Sequence, residues 1–158
     1  MMEMKQSLEA FVHQLSQFFS EQLFLVCCPK RSFPRGENWS ISHSGDFSFV
    51  LSWASTRSFG LDVEDEKELR GEAVHLFLSD KELTMLADQK IQIELVQLWT
   101  IKEALFKAQE ISQSDLFEYE ILNWDQFTGQ ARHLPSQKQF RFYSKKVDGR
   151  YYSVAEAC

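Results

Sequence analysis

Two short segments hold the residues best able to do chemistry. Asp62 and Glu64 stand two apart in Gly60-Leu61-Asp62-Val63-Glu64, and Lys102, Glu103 and Lys107 lie in Trp99-Thr100-Ile101-Lys102-Glu103-Ala104-Leu105-Phe106-Lys107. Side chains alternate along a strand, so Asp62 and Glu64 share a face roughly 7 Å apart at the backbone and can share a cation. Carboxylates are hard oxygen ligands, and two or three of them with water and a phosphate make the kind of site magnesium occupies. On a helix, Glu103 and Lys107 are four apart and share a face, with Trp99 one turn earlier and Lys102 about a quarter turn away. Glu103 can complete a metal site or serve as a base while the lysines hold phosphate oxygens, which is chemistry of the phosphoryl-transfer type. Taken singly, each segment also has an ordinary reading. Asp62, Glu64, Asp65 and Glu66 can form a solvated acidic turn, and Glu103 with Lys107 an exposed ion pair worth about 0.2–0.5 kcal/mol. An EF-hand is excluded, because Lys67 stands where that loop needs Gly and Ala73 where it needs Glu.

A third segment, Ser42-His43-Ser44-Gly45, offers hydroxyls, an imidazole and turn amides that can donate to an anion, or else forms a plain hairpin turn. Neighbours on a strand face opposite ways, so Ser42 and His43 cannot act as nucleophile and base of a hydrolase triad. Upstream, Lys30, Arg31 and Arg35 make the turn-rich stretch from Arg31 to Asn38 locally basic.

The elements that must position these residues follow from hydrophobic spacing. Leu8, Phe11, Val12, Leu15, Phe18 and Phe19 recur at helical intervals, predicting an amphipathic core helix over about Gln6 to Glu21. Strands are expected at Leu23 to Cys28, Trp39 to Ser42, Phe47 to Trp53 and Phe59 to Glu64, with a tight turn at Ser44-Gly45-Asp46. Ser79-Asp80-Lys81-Glu82 matches a capping box and predicts a helix to about Ala87. A longer helix is expected from about Ile93 to Gln109, packing through Leu95, Leu98, Trp99, Leu105 and Phe106. Short antiparallel strands are expected at Phe117 to Leu122, Gln139 to Ser144 and Tyr151 to Ala155, with a turn at Asp148-Gly149. Helix, strands, helices and strands in that order give an α+β fold, not alternating βαβ units.

With 158 residues, 44% of them hydrophobic, the chain suits a single domain with its own core. Its fourteen phenylalanines fit dense core packing and identify no ligand. A net charge of −6 gives no general attraction to nucleic acid or to anionic lipid, so any anion site must be local. Cys27, Cys28 and Cys158 form no C-x-x-C pair and leave an odd thiol, the pattern of a reduced, cytoplasmic protein without a zinc site. The first residues lack the basic and apolar regions of a signal peptide, and no apolar run approaches the ~20 residues of a membrane helix.

In combination and in this order, the segments resemble the 4′-phosphopantetheinyl transferases, and more the larger type that activates peptide synthetases than the small acyl-carrier-protein-synthase type. Ile41-Ser42-His43-Ser44-Gly45 is similar to the family's Ser-His-Ser element, and Phe59-Gly60-Leu61-Asp62-Val63-Glu64 to its G-[IV]-D-[IV]-E strand. Trp99-Thr100-Ile101-Lys102-Glu103-Ala104 with Lys107 is similar to its W-[ST]-x-K-E-[AS]-x-x-K helix, and Phe77-Leu78-Ser79 with Glu82 to its F-[LF]-S-x-x-E helix start.

The resemblance implies that Asp62, Glu64 and Glu103 hold magnesium on the pyrophosphate of coenzyme A. It implies that Lys107 and Lys102 contact phosphate, and that Ser42, His43 and either Lys30 or Arg31 meet the nucleotide end near its 3′-phosphate. Glu103 is the implied base, directly or through a metal-bound water, with Lys107 beside it. The implied reaction moves the phosphopantetheine arm from coenzyme A to a serine of an acyl or peptidyl carrier protein. A second reading is a non-catalytic member of the fold that binds coenzyme A or a carrier protein.

The chain departs from the larger type in reaching Ser42-His43 after far fewer residues. Arg-containing segments of the first lobe have no counterpart in Met1 to Cys28. The expected organisation is one domain over 1–158, with a reduced N-terminal lobe at 1–56 and a metal-binding C-terminal lobe at 57–158. The helix near the N-terminus then substitutes for the missing part, a second copy of the chain fills it as in the small trimeric type, or activity is altered.

Overall fold

The computed structural model describes residues 2–33, 38–66, 71–88, 94–109 and 114–158. Arg35 of the basic loop and Ile93, the expected start of the long helix, lie outside them. The described chain is α+β, with helices α1 (Met2–Phe19), α2 (Asp80–Asp88) and α3 (Leu95–Ala108) and two antiparallel sheets. Strands β1 (Phe24–Pro29), β2 (Trp39–Ser44) and β3 (Phe47–Ser52) form a three-stranded sheet in the order β1-β3-β2. Strands β4 (Ser58–Asp65), β5 (Tyr119–Trp124), β6 (Thr128–His133), β7 (Gln139–Val147) and β8 (Arg150–Ala157) form a five-stranded sheet in the order β4-β8-β7-β6-β5.

The turn chemistry seen in the sequence sets both hairpins. Gly45 takes φ +58° at the first of two loop residues between β2 and β3, a backbone angle that costs glycine nothing. Asp148 and Gly149 both take positive φ between β7 and β8, as a two-residue hairpin loop that follows the strand twist requires. The capping box at α2 is present in both directions. Glu82 N donates to Ser79 Oγ at 3.1 Å, and Ser79 N donates to Glu82 Oε1 at 3.0 Å.

Alternation along β4 divides the five-stranded sheet between two cores. Phe59, Leu61 and Val63 face α1 and the small sheet, packing with Phe11, Leu15, Phe19, Phe49 and Tyr152. Ala155 of β8 and Phe140 and Phe142 of β7 face α3, against Leu98, Ile101, Ala104 and Leu105. Gly60 of β4 also lies under α3. A Cβ at that position would stand 2.2 Å from the Ala104 carbonyl and 2.4 Å from Ala108 N, so only glycine lets the helix backbone lie this close to the strand.

Helix α1 is docked by charge as well as by its apolar stripe. Arg57 and Arg141 donate to the Phe19 carbonyl at 2.7 and 3.0 Å and both pair with the buried Glu156, so the open carbonyls of the helix C-terminus have partners. The strand β6 is an addition to the sequence expectation. Its Thr128-Gly129-Gln130-Ala131-Arg132-His133 lacks a β-branched or aromatic run, and at Gly129 there is no room for a side chain: a Cβ there would meet the Phe142 ring at 2.4 Å.

Candidate active site at the joint between the two sheets

Strands β2 and β4 are edge strands of different sheets, and side chains join them instead of a backbone ladder. Ser40 Oγ accepts from Leu61 N at 2.9 Å, and Ser42 Oγ accepts from Val63 N at 2.9 Å. Lys107 reaches down from α3 and donates to the Ile41 carbonyl at 3.1 Å, the Leu61 carbonyl at 3.1 Å and Asp62 Oδ1 at 3.0 Å. One ammonium therefore uses its three protons to tie β2, β4 and the Asp62 carboxylate together.

Asp62 is the centre of this arrangement. It is 5% exposed, and its Oδ1 also accepts from Ser42 Oγ at 3.2 Å. Its Oδ2 is buried and has no hydrogen-bond partner among the described residues. Burial pushes its pKa up to about 6, against the pull of Lys107, and the charges of Glu64 and Glu103 push it the same way. Glu103 is half-buried, and its pKa is raised first by burial and then by Glu64, with Lys107 opposing. Asp62 thus feels the charges of Glu64 and Glu103, and Glu103 that of Glu64, across the face between β4 and α3.

No group of three or more His, Cys, Asp or Glu side chains is drawn in tightly enough to grip a metal among the described residues. The donors nevertheless suit a hard divalent cation. All are carboxylate oxygens, the buried Asp62 Oδ2 lacks a partner, and adding positive charge would relieve the raised pKa values of Asp62 and Glu103.

His43 faces the other way from Ser42, as adjacent strand residues must, and is exposed. Its Nδ1 lies 2.8 Å from Ser48 Oγ, which also accepts from Arg31 N at 3.3 Å. Ser48 therefore groups His43 with the Arg31 backbone, while the Arg31 guanidinium lies over the Phe33 ring at 4.8 Å. Lys30 is exposed, with its backbone N–H on the Asp46 carbonyl.

Two expectations need correction. Lys102 does not face the phosphate side of α3. Its side chain is 0% exposed, 2.8 Å from the Glu82 carboxylate and bonded to the Tyr119 carbonyl, because the quarter turn separating it from Glu103 points it into the core. Ser42 does not accompany His43. It is buried against Asp62 and Val63.

Ser40, Ser48 and the close approach at Gly60 are features the sequence reading missed. A signal was present for Ser40. Trp39, Ile41 and His43 alternate with Ser40, Ser42 and Ser44, and here the serine face is the buried one, so a polar stripe of period two marked the joint.

No individual curated protein matches the chain. A family profile does, over residues 58–156, which span β4 to β8 with α2 and α3 and include Asp62, Glu64, Glu103 and Lys107. Ser42, His43, Lys30 and Arg31 lie before the matched region. That match covers more than half of the sequence and takes in both sides of the carboxylate cluster, and on it the chain belongs to the 4′-phosphopantetheinyl transferase superfamily.

Proposed function

We propose that this chain is a magnesium-dependent enzyme that transfers the 4′-phosphopantetheine arm of coenzyme A to a serine hydroxyl of an acyl or peptidyl carrier protein. The family supports phosphopantetheine transfer in general. The observation that carries the fuller reading is the buried Asp62 carboxylate, with one oxygen held by Lys107 and Ser42 and the other without a partner, beside Glu64 and Glu103.

In this reading Asp62, Glu64 and Glu103 would hold magnesium, which when bound supplies positive charge against the coenzyme A pyrophosphate. Lys107, partly exposed, opposes the protonation that burial favours at Asp62 and trades one carbonyl bond for a phosphate oxygen when coenzyme A arrives. His43 and Arg31, grouped by Ser48, take the nucleotide end, which favours Arg31 over Lys30 for the 3′-phosphate.

Glu103 accepts the proton of the carrier serine. The serine oxygen then bonds to the phosphorus bearing pantetheine. The P–O bond to the adenosine-bearing phosphate breaks, and adenosine 3′,5′-bisphosphate leaves with the electron pair.

No helix of the described residues is long and apolar enough to cross a membrane, and all three cysteines are free, which supports placing the reaction in the cytoplasm. The test is intact mass of apo carriers from fatty-acid, polyketide and peptide synthesis after incubation with the protein, coenzyme A and magnesium. A gain of one phosphopantetheine on at least one carrier, abolished by chelation of the metal, is expected. Coenzyme A binding without transfer to any carrier would instead identify a binding protein.

A further inference from the structure

We infer that Ser42 is a positioning residue for Asp62: its hydroxyl, together with Lys107, holds Oδ1 and leaves Oδ2 as the oxygen presented to the cation. This rests on the reading of the carboxylate cluster as a magnesium site. It differs from that reading's expectation for Ser42, which was a contact with the nucleotide end.

Three observations lead here. Ser42 Oγ accepts from Val63 N at 2.9 Å, which fixes the oxygen against the β4 backbone one residue past Asp62. Its single proton then points either to Asp62 Oδ1 at 3.2 Å or to the Val63 carbonyl at 3.3 Å, and the charged oxygen is the stronger acceptor. Lys107 takes the same Oδ1 at 3.0 Å from the helix side. Two donors on one oxygen and none on the other fix the carboxylate's rotation about its own axis. The bare oxygen is also buried.

Ser40 supplies an internal control. It makes the equivalent bond to β4, accepting from Leu61 N at 2.9 Å, and its recorded side-chain bond reaches no carboxylate. Loss of either hydroxyl loosens the joint between the sheets, but only Ser42 also touches a proposed ligand. Partners that orient a metal ligand typically change metal affinity by about 10–100-fold when removed.

The experiment is a titration of Mn2+ followed by electron paramagnetic resonance, with coenzyme A present, on the wild-type chain, Ser42→Ala and Ser40→Ala. Coenzyme A affinity and metal-free thermal stability are measured alongside. The expected result is a Mn2+ dissociation constant raised roughly tenfold or more in Ser42→Ala and little changed in Ser40→Ala, with coenzyme A affinity at saturating metal nearly unchanged in both. Ser42→Thr, which keeps the hydroxyl, should recover most of the metal affinity.

Equal weakening in the two alanine variants would overturn the inference in favour of a purely structural joint. Weakened coenzyme A binding with intact Mn2+ binding in Ser42→Ala would overturn it in favour of a nucleotide contact. If Ser42→Ala fails to fold, Ser42→Cys carries the test, since a thiol donates poorly, and unchanged Mn2+ affinity there would overturn the inference. Absence of Mn2+ binding in the wild-type chain would remove the magnesium reading itself, an outcome distinct from a wild-type site that Ser42→Ala leaves intact.

Discussion

Helix α3 carries two lysine–carboxylate pairs, and they are built to opposite specifications. Lys102 meets Glu82 with side chains 0% and 1% exposed, and every group around them is used: Glu82 also accepts from Ser79 N and Ile121 N, and Lys102 also donates to the Tyr119 carbonyl. Lys107 meets Asp62 with side chains 28% and 7% exposed, and Asp62 Oδ2 has no partner among the described residues. A saturated buried pair ties α2, α3 and β5 into one body and has no valence left for a ligand. The unsaturated pair is flanked by two more carboxylates, so three negative groups meet one ammonium there and the balance favours an added cation. Of two lysines in one helical motif, five positions apart, the first is architecture and the second belongs to the site.

The largest effect should come from the open side of this comparison. Glu103→Gln keeps the shape of a half-buried side chain but cannot accept the serine proton, so carrier modification should fall about 10²–10⁴-fold, with unfolding curves little changed. The saturated side should respond in stability. Lys102→Met leaves Glu82 charged and buried without its partner, at a cost of about 3–5 kcal/mol in urea unfolding, while the folded fraction should keep its rate of arm transfer. A folded Lys102→Met protein without activity would erase the distinction between the two pairs.

Asp62 gives a test whose sign depends on pH. Its folded pKa is raised from 3.8 to about 6, so the folded state prefers the protonated acid. Between these values the folded chain binds more protons than the unfolded one, and metal-free stability contributed by this group declines as pH rises from about 4 to about 6. Lys107 and Ser42 face the carboxylate from α3 and β2; Lys107 pulls the pKa down, and Glu64 and Glu103 push it up with burial. Asp62→Asn should therefore be more stable than the wild-type chain at pH 7 without metal, by up to about 3 kcal/mol, and the advantage should vanish near pH 4. Added magnesium should narrow the difference at pH 7 by stabilising only the wild-type chain.

A smaller effect is expected at Gly60. Gly60→Ala pushes the Ala104 and Ala108 backbone off β4, costing about 1–3 kcal/mol and lowering activity through the displaced Glu103 and Lys107. Loss of stability without loss of activity would show that the helix can shift without moving the site.

Local rules predicted the elements that local chemistry controls. The capping box at Ser79 and Glu82, the turns at Gly45 and Asp148-Gly149, and the α+β order all follow from residues close in sequence. The carboxylate positions were legible because alternation on β4 and helical spacing on α3 fix the faces of Asp62 and Glu103. What escaped was set by partners far along the chain. The burial of Lys102 depends on Glu82 and Tyr119, and the fate of Ser40 and Ser42 depends on the bare edge of β4, while β6 depends on the Phe142 ring that fills the space over Gly129. The docking of α1 likewise joins distant residues, with Arg57 lying 38 and Arg141 lying 122 positions from the Phe19 carbonyl they share.

The most direct test sets the two pairs side by side in one assay. Apo carrier protein is incubated with coenzyme A, magnesium and either the wild-type chain, Lys102→Met or Glu103→Gln, and its intact mass is followed with time. The wild-type chain and folded Lys102→Met should add one phosphopantetheine at similar rates, and Glu103→Gln should add almost none. Transfer by Glu103→Gln at the wild-type rate would contradict the assignment of the site.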